Sequence, residues 1–294
     1  MLWTINSEMR GFMRMLQRKL IVLARVLTTA AVMAITFLNI DYQHGSPNNN
    51  VALAAAKVNR GITVLWNGKP LKLESAPVLR KGIVFLPMRE LFSVMGAEII
   101  FNKGHIDVHQ ADHYLGLDVD SFKANVDGSN ETLHAAPFYS GGKTYISLDL
   151  LSQAFGAKEK WDPKSQQADI RWKGPDILSF QPGVAIIFPK GSDADEEEVI
   201  QLVKKAMQAI ADKDKSVLRS TMDENADYLD FLIESKIHYR FTQLVHIEPY
   251  DDSTGRKNIT IGFYTLNSGI IEHGNYIFTS LKNKQGKWYI ANID

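Results

Sequence analysis

The chain matches itself, without a gap, at an offset of sixty residues. Asn67-Gly68 falls on Asp127-Gly128, Leu73 on Leu133, and Ala76-Pro77 on Ala136-Pro137. Gly82 falls on Gly142, Leu91 on Leu151, and Gly96-Ala97 on Gly156-Ala157. Conservative pairs fill the intervals: Phe85 with Tyr145, Leu86 with Ile146, Met88 with Leu148, Met95 with Phe155, and Phe101 with Trp161. Matched glycines and prolines constrain backbone geometry and not only polarity. The stretch from about 60 to 172 is therefore two copies of one supersecondary unit.

Each unit has a physical reading. Asn-Gly and Asp-Gly between β-type segments predict a tight hairpin, because both central residues of that turn take positive φ. The Pro and Gly that follow mark a second turn. Residues 83–86 and 144–146 read as short strands. A helix follows in each copy, with Pro87 in its first turn and Ser147 as N-cap at the equivalent place. Met88, Leu91, Phe92 and Met95 recur at helical spacing, as do Leu148, Leu151 and Phe155. Gly96 and Gly156 end the helices. Strands through Phe101 and Ile106-Asp107-Val108, and through Trp161 and Asp169-Ile170-Arg171, close the copies.

The turn Asn67-Gly68-Lys69-Pro70, the segment Val84-Phe85-Leu86-Pro87-Met88-Arg89 and the pair Gly96-Ala97 resemble the copper amine oxidase N-terminal-like domain. Trp161-Asp162-Pro163-Lys164 extends the resemblance into the second copy, where Ile146-Ser147-Leu148-Asp149 departs from the Leu-Pro-x-Arg element. The resemblance implies a non-catalytic stalk module of secreted and surface proteins, largely of Gram-positive bacteria. It does not imply an oxidase. The only Asn-Tyr, Asn275-Tyr276, is followed by Ile277 and not by an acid, and no His-x-His pair occurs. No cofactor and no metal are expected.

Composition narrows the function further. Lys+Arg and Asp+Glu both number 33, so a zero net charge offers nothing to a nucleic acid. The absence of cysteine removes disulfides, thiol nucleophiles and thiolate metal sites. Residues 1–56 read as a basic N-terminal region with a targeting segment. Arg10, Arg14, Arg18, Lys19 and Arg25 precede an apolar run over 26–38, the pattern of a signal peptide. Left uncleaved, it would anchor the chain in a membrane with the remainder outside. Ala52, Ala54, Ala55 and Ala56 supply an Ala-x-Ala type site, and Met13 or Met15 would give a more usual start. The localisation expected is extracytoplasmic, secreted or membrane-anchored.

After the repeat domain at 57–172, a Pro- and Gly-punctuated linker is expected over 173–193. The last part, 194–294, reads as helices over 194–210, 215–222 and 226–240. Strands follow over 244–248, 259–266, 270–281 and 288–293. This order, ending in Gly286-Lys287-Trp288-Tyr289-Ile290, resembles the nuclear transport factor 2-like fold, a cone of helices on a curved sheet. The fold class expected is α+β, two tandem antiparallel-sheet-plus-helix units followed by that cone. That fold hosts enzymes as well as binding and dimerisation modules, so a homodimer through the last domain is one of the partner arrangements the resemblance allows.

The candidate pocket residues are His238, Tyr264, His273 and Tyr276, with His246, Tyr239 and Asp227 as further polar neighbours. A His–Asp or His–Tyr pair among them would supply acid–base chemistry. On the final hairpin, side-chain alternation allows only one of two sets to face a cavity. One set is His273, Asn275 and Ile277; the other is Glu272, Tyr276 and Phe278. His105, His109 and His113 recur every fourth residue, but the surrounding alternation predicts strand, not a helical metal face. Arg89 is a candidate for binding an anionic wall polymer, for pairing with a local carboxylate, or for packing its stem on the sheet. The reading is an exported, envelope-associated, non-catalytic binding or scaffolding protein whose partner is an envelope component or small ligand. An isomerase or hydrolase in the pocketed domain is the first alternative. A wall-polymer-binding module, marked by exposed aromatics on one face, is the second.

Overall fold

The structure, a computed structural model, describes residues 61–223 and 227–294. The segment read as a targeting signal lies outside the described residues. Among the described residues no helix is long and apolar enough to cross a membrane.

The first copy runs β1 (Thr63–Trp66), β2 (Lys69–Leu71), β3 (Val78–Arg80), β4 (Ile83–Pro87), α1 (Met88–Met95), β5 (Glu98–Asn102) and β6 (His105–Gln110). A connecting strand, β7 (His113–Asp118), leads to the second copy. That copy is β8 (Lys123–Val126), β9 (Ser129–Thr132), β10 (Phe138–Ser140), β11 (Lys143–Ser147), α2 (Leu150–Phe155), β12 (Lys158–Asp162) and β13 (Gln167–Arg171). Asn67-Gly68 and Asp127-Gly128 take positive φ, 50° and 80° in one turn and 50° and 86° in the other, as the hairpin reading requires. Gly96 and Gly156 are left-handed helix ends. Ser147 is not an N-cap. It is the last residue of β11, buried opposite Phe85, and Asp149 precedes the helix.

The two copies do not stand in tandem. They are interlaced about a pseudo-twofold through the antiparallel pairing of β4 with β11, where Leu86 faces its own repeat counterpart, Ile146. The hairpin β1–β2 leaves its own copy and joins the second, β1 running parallel to β13 with Val64 opposite Ala168 and Trp66 opposite Ile170. The hairpin β8–β9 likewise joins β5–β6, with β7 filling the place between β6 and β8. One continuous core results, containing Trp66, Leu86, Leu91 and Ile106 of the first copy and Ile146, Leu151, Phe155 and Ile170 of the second. The period specifies the elements, but not which copy a strand pairs with. The expected tandem units and all-antiparallel sheets are corrected accordingly.

The last part holds β14 (Gly183–Val184), α3 (Ala194–Asp212), α4 (Lys215–Arg219), a 3-10 turn at Asp227–Leu229, α5 (Phe231–Glu234), β15 (His238–Ile247), β16 (Lys257–Asn267), β17 (Ile270–Lys282) and β18 (Trp288–Ile293). The sheet order is β14-β15-β16-β17-β18. The expected helix over 226–240 ends early. Leu229, Leu232 and Ile233 keep helical spacing, but His238-Tyr239-Arg240-Phe241 alternates exposed and buried and opens β15. Helix α3 lies on one sheet face, its Val199, Val203, Ala206 and Ile210 in a second core with Phe241, Ile261, Phe278 and Ile290. Its acidic start does more than complement the helix dipole. Asp193 caps the Glu196 amide at 2.7 Å, Asp195 accepts from Trp288 Nε1 at 3.0 Å, and Glu196 pairs with the buried Lys257 at 2.7 Å.

Residues 173–182 are not a free tether. Asp176 and Phe180 are buried, the Ile177 amide donates to Val94 O at 2.9 Å, and Pro175 O accepts from both Gln110 Nε2 and Trp172 Nε1. The tip of the β16–β17 hairpin docks on the repeat domain. The Ile271 amide donates to Gly96 O at 2.7 Å, and the Ala111 amide donates to Ile271 O at 3.4 Å. Gly96 is needed twice. Its φ of +71° disfavours a side chain, and a Cβ there would lie 2.6 Å from Ile271 Cγ1. Gly156, its repeat counterpart at φ +66°, has open space around it. Gly156→Ala should therefore cost only the left-handed penalty, about 1 kcal/mol. Gly96→Ala should cost a further 1–3 kcal/mol, roughly, from overpacking. Urea melts of the two variants check this, and equal midpoints would remove Ile271 from the account.

Candidate binding surfaces

The sheet of the last part has two faces with different chemistry. On the helix-covered face, Phe241, Ile261, Phe278 and Ile290 are packed against α3. Tyr276 is on this face. Its hydroxyl lies 3.2 Å from that of Tyr239, and its ring lies 4.3 Å from that of Phe263. Burial drives the Tyr239 phenol up, and the hydroxyl of Tyr276 adds to the effect, so Tyr239 is not available as a base. Lys213, lowered by burial, donates to Leu232 O and Ser235 O and lies over the Tyr239 ring. This end of the sheet is an aromatic plug whose one cation caps a short helix.

Tyr264 and His273 are cross-strand neighbours on the opposite face, with ring centroids 5.2 Å apart. His273 Nδ1 lies 2.6 Å from Asp112 Oδ1, on the β6–β7 turn of the repeat domain. The His–Asp pair thus sits at the junction between the two cores. His238 and His246 are exposed on β15. The four residues expected in one pocket are therefore divided: Tyr276 is on the helix-covered face, and Tyr264, His273 and the exposed His238 are on the outer face. Alternation sorted the two sets of β17 correctly; what it did not show is that the outer set meets another domain.

Tyr264 does line a cleft of about 260 Å³, together with Lys173, Asp176, Arg240 and Thr242, between the 173–182 strap and the outer face. Arg240 donates to Ser179 O at 3.3 Å. Sequence reasoning missed Arg240 because it fell inside the stretch read as helix. His105 and His109 lie on β6 and His113 on β7, and each has its own company. His105 is 2.8 Å from Asp118, His113 is 3.0 Å from Asp127, and the His109 ring is 5.2 Å from that of Tyr114. Among the described residues no three His, Asp or Glu converge as a metal site.

A larger groove, about 450 Å³, opens at the start of α1 and is lined by Glu74, Arg89, Glu90, Phe101, Tyr139, Lys143 and others. Arg89 lies over the Phe101 ring at 4.9 Å and makes no ion pair among the described residues. Glu90 organises the groove floor. It accepts from the Glu74 amide at 2.6 Å, the Ser75 amide at 3.2 Å, the Ser75 hydroxyl and Lys143 Nζ. Burial pushes the Glu90 carboxyl up, but these hydrogen bonds outweigh it and hold the group below its ordinary value of 4.5. A depressed carboxyl contributes stability above its unfolded value and loses it as pH falls through the folded value. Glu90→Gln should thus destabilise by about 1–2 kcal/mol at neutral pH. The difference should shrink below pH 4.5, as thermal melts across the acid range would show.

Residues 65–170 match the copper amine oxidase N-terminal domain. A solved structure described as an Ntf2 like protein involved in plasmid conjugation matches at 10% identity over 67% of this chain and 74% of that one, with a TM-score of 0.26. No curated protein matches the chain. The matched domain is a non-catalytic part of copper amine oxidases, so no amine oxidase activity is expected. Purified protein should hold no stoichiometric copper and release no peroxide from amines. One tightly held equivalent of copper, lost in His105→Ala/His109→Ala, would contradict this.

Proposed function

We propose that this is an exported, non-catalytic binding or scaffolding protein of the cell envelope, with an envelope component as its partner. The observation that carries the reading is the placement of the polar groups. The His273–Asp112 pair, which could otherwise serve as an acid–base pair, spans the junction of the two cores. The covered face of the last sheet holds phenols and apolar side chains. By contrast, Arg89, Phe101 and Tyr139 face an open groove. The match to a non-catalytic domain supports the same reading, as does the basic-then-apolar N-terminal pattern of an export signal.

The polymer-binding alternative gains from one specific feature, since Phe101 and Tyr139 are exposed and line the same groove. The isomerase or hydrolase reading is less favoured, because Tyr276 lies on the sheet face opposite Tyr264 and His273. Produced in a Gram-positive host with a C-terminal epitope, the protein should partition with membrane and wall and be digested by protease added to protoplasts. Purified protein should also co-sediment with isolated wall sacculi. Retention in the cytosol, with no sedimentation on sacculi, would overturn the proposal.

A further inference from the structure

The pseudo-twofold of the repeat domain provides an internal control for the groove at the start of α1. Each lining residue has a counterpart sixty positions away on the other side of the axis. Arg89 corresponds to Asp149, Glu90 to Leu150, Phe101 to Trp161, Tyr139 to Leu79 and Lys143 to Ile83. The elements correspond, although α1 begins at Met88 and α2 only at Leu150, so the two places compare different side chains on related elements. In the counterpart, Asp149 is engaged by His134 at 2.8 Å and Leu150 is buried in the core. Leu79 and Ile83 leave aliphatic groups at its surface. Trp161, the counterpart of Phe101, is half-buried against the core, so only the α1 side combines two exposed aromatic rings with a guanidinium that makes no ion pair among the described residues and an exposed carboxylate.

The geometry points to a neutral glycan strand as the occupant of this groove. This rests on the binding reading above and gives it a ligand class. Three features argue for it. Phe101 and Tyr139 keep 47% and 63% of their surface exposed, which leaves ring surface beyond the Arg89 contact for the apolar C–H face of a sugar ring. The Arg89 guanidinium is held against Phe101, which pre-organises a planar, multi-donor group for hydroxyl pairs and lowers the ordering cost of binding. Glu74, with its carboxylate exposed at the rim, and Thr144 add an acceptor and a hydroxyl.

Charge decides between a neutral and an anionic polymer. The groove is lined by two cations, Arg89 and Lys143, and two carboxylates, Glu74 and Glu90, with Lys143 already facing Glu90 at 3.4 Å. A polyanion would need a positive surplus that this set lacks. The volume, about 450 Å³, falls within the ordinary range of ligand clefts. The expectation that Arg89 serves an anionic wall polymer is thereby replaced by a role in hydroxyl recognition.

The test uses the full chain with the N-acetylglucosamine tetramer and cellotetraose as probes, and polygalacturonate as the anionic comparison. Calorimetry should show binding of at least one neutral tetramer. Phe101→Ala and Tyr139→Ala should each weaken it about tenfold, and Arg89→Ala by a similar factor. Leu79→Ala and Ile83→Ala, on the counterpart side, should leave it unchanged. Raising salt from about 50 to about 300 mM should change the affinity less than about twofold. Failure of both neutral tetramers, tighter and salt-sensitive binding of polygalacturonate, or binding indifferent to the two rings would overturn the inference. If the Phe101→Ala/Tyr139→Ala protein still co-sediments with sacculi, the glycan groove falls while the envelope-binding reading stands.

Discussion

The repeat domain depends on one contact, Leu86 against Ile146 across the β4–β11 pair. Both side chains are fully buried, and each is the other's image in the sixty-residue repeat. With this pair on the axis, the two helices lie in one core and each N-terminal hairpin reaches the other copy's sheet. A half-domain would leave β4 as a bare edge and expose one side of α1. Neither copy encloses enough apolar surface alone, which is the usual reason that repeated units occur as pairs or longer arrays.

The junction with the last part is built from unlike elements. A helix C-terminus at Gly96, a hairpin tip at Ile271, a buried Gln110 and a strap over Trp172 meet with several backbone hydrogen bonds. Backbone bonds and an isoleucine seated where a glycine leaves room give a defined angle between the cores, in contrast to a flexible tether. The His273–Asp112 pair sits at the rim of this contact. Two clefts flank the same junction, one containing Arg240 and Tyr264 and the other His109 and His273. Their shapes are therefore set by how the cores dock.

Much of this was legible in the residues. The Asn67-Gly68 and Asp127-Gly128 turns, the glycine ends of both helices, and the last strands from Lys257 to Ile293 follow from turn chemistry and alternation. The interlacing was not legible, because a period identifies equivalent segments and not their partners in space. Strand β7 has no counterpart in the repeat, so nothing marked its insertion between β6 and β8. His238 to Phe241 was lost to a helical spacing that ended a few residues earlier. The pocket residues divide between two faces for a further reason. His273 and Tyr264 are polar groups on the uncovered face of a sheet, and whether such a face meets water or another domain is a tertiary fact that alternation does not contain.

The exchanged hairpin also has a consequence for how the chain reaches this state. Thr63 pairs with Gln167, so the first strand of the domain closes its ladder only with the last. Closing a loop of that length carries an entropy cost that no local contact offsets beforehand. Folding dominated by such distant pairings is slow. While the chain is being made, the β1–β2 hairpin has no neighbour for the other edge of β1 until β13 has emerged, and any truncation short of it leaves that edge available to other chains. The order of synthesis therefore runs against the order of pairing in this domain, since its first hairpin docks only beside its last strand.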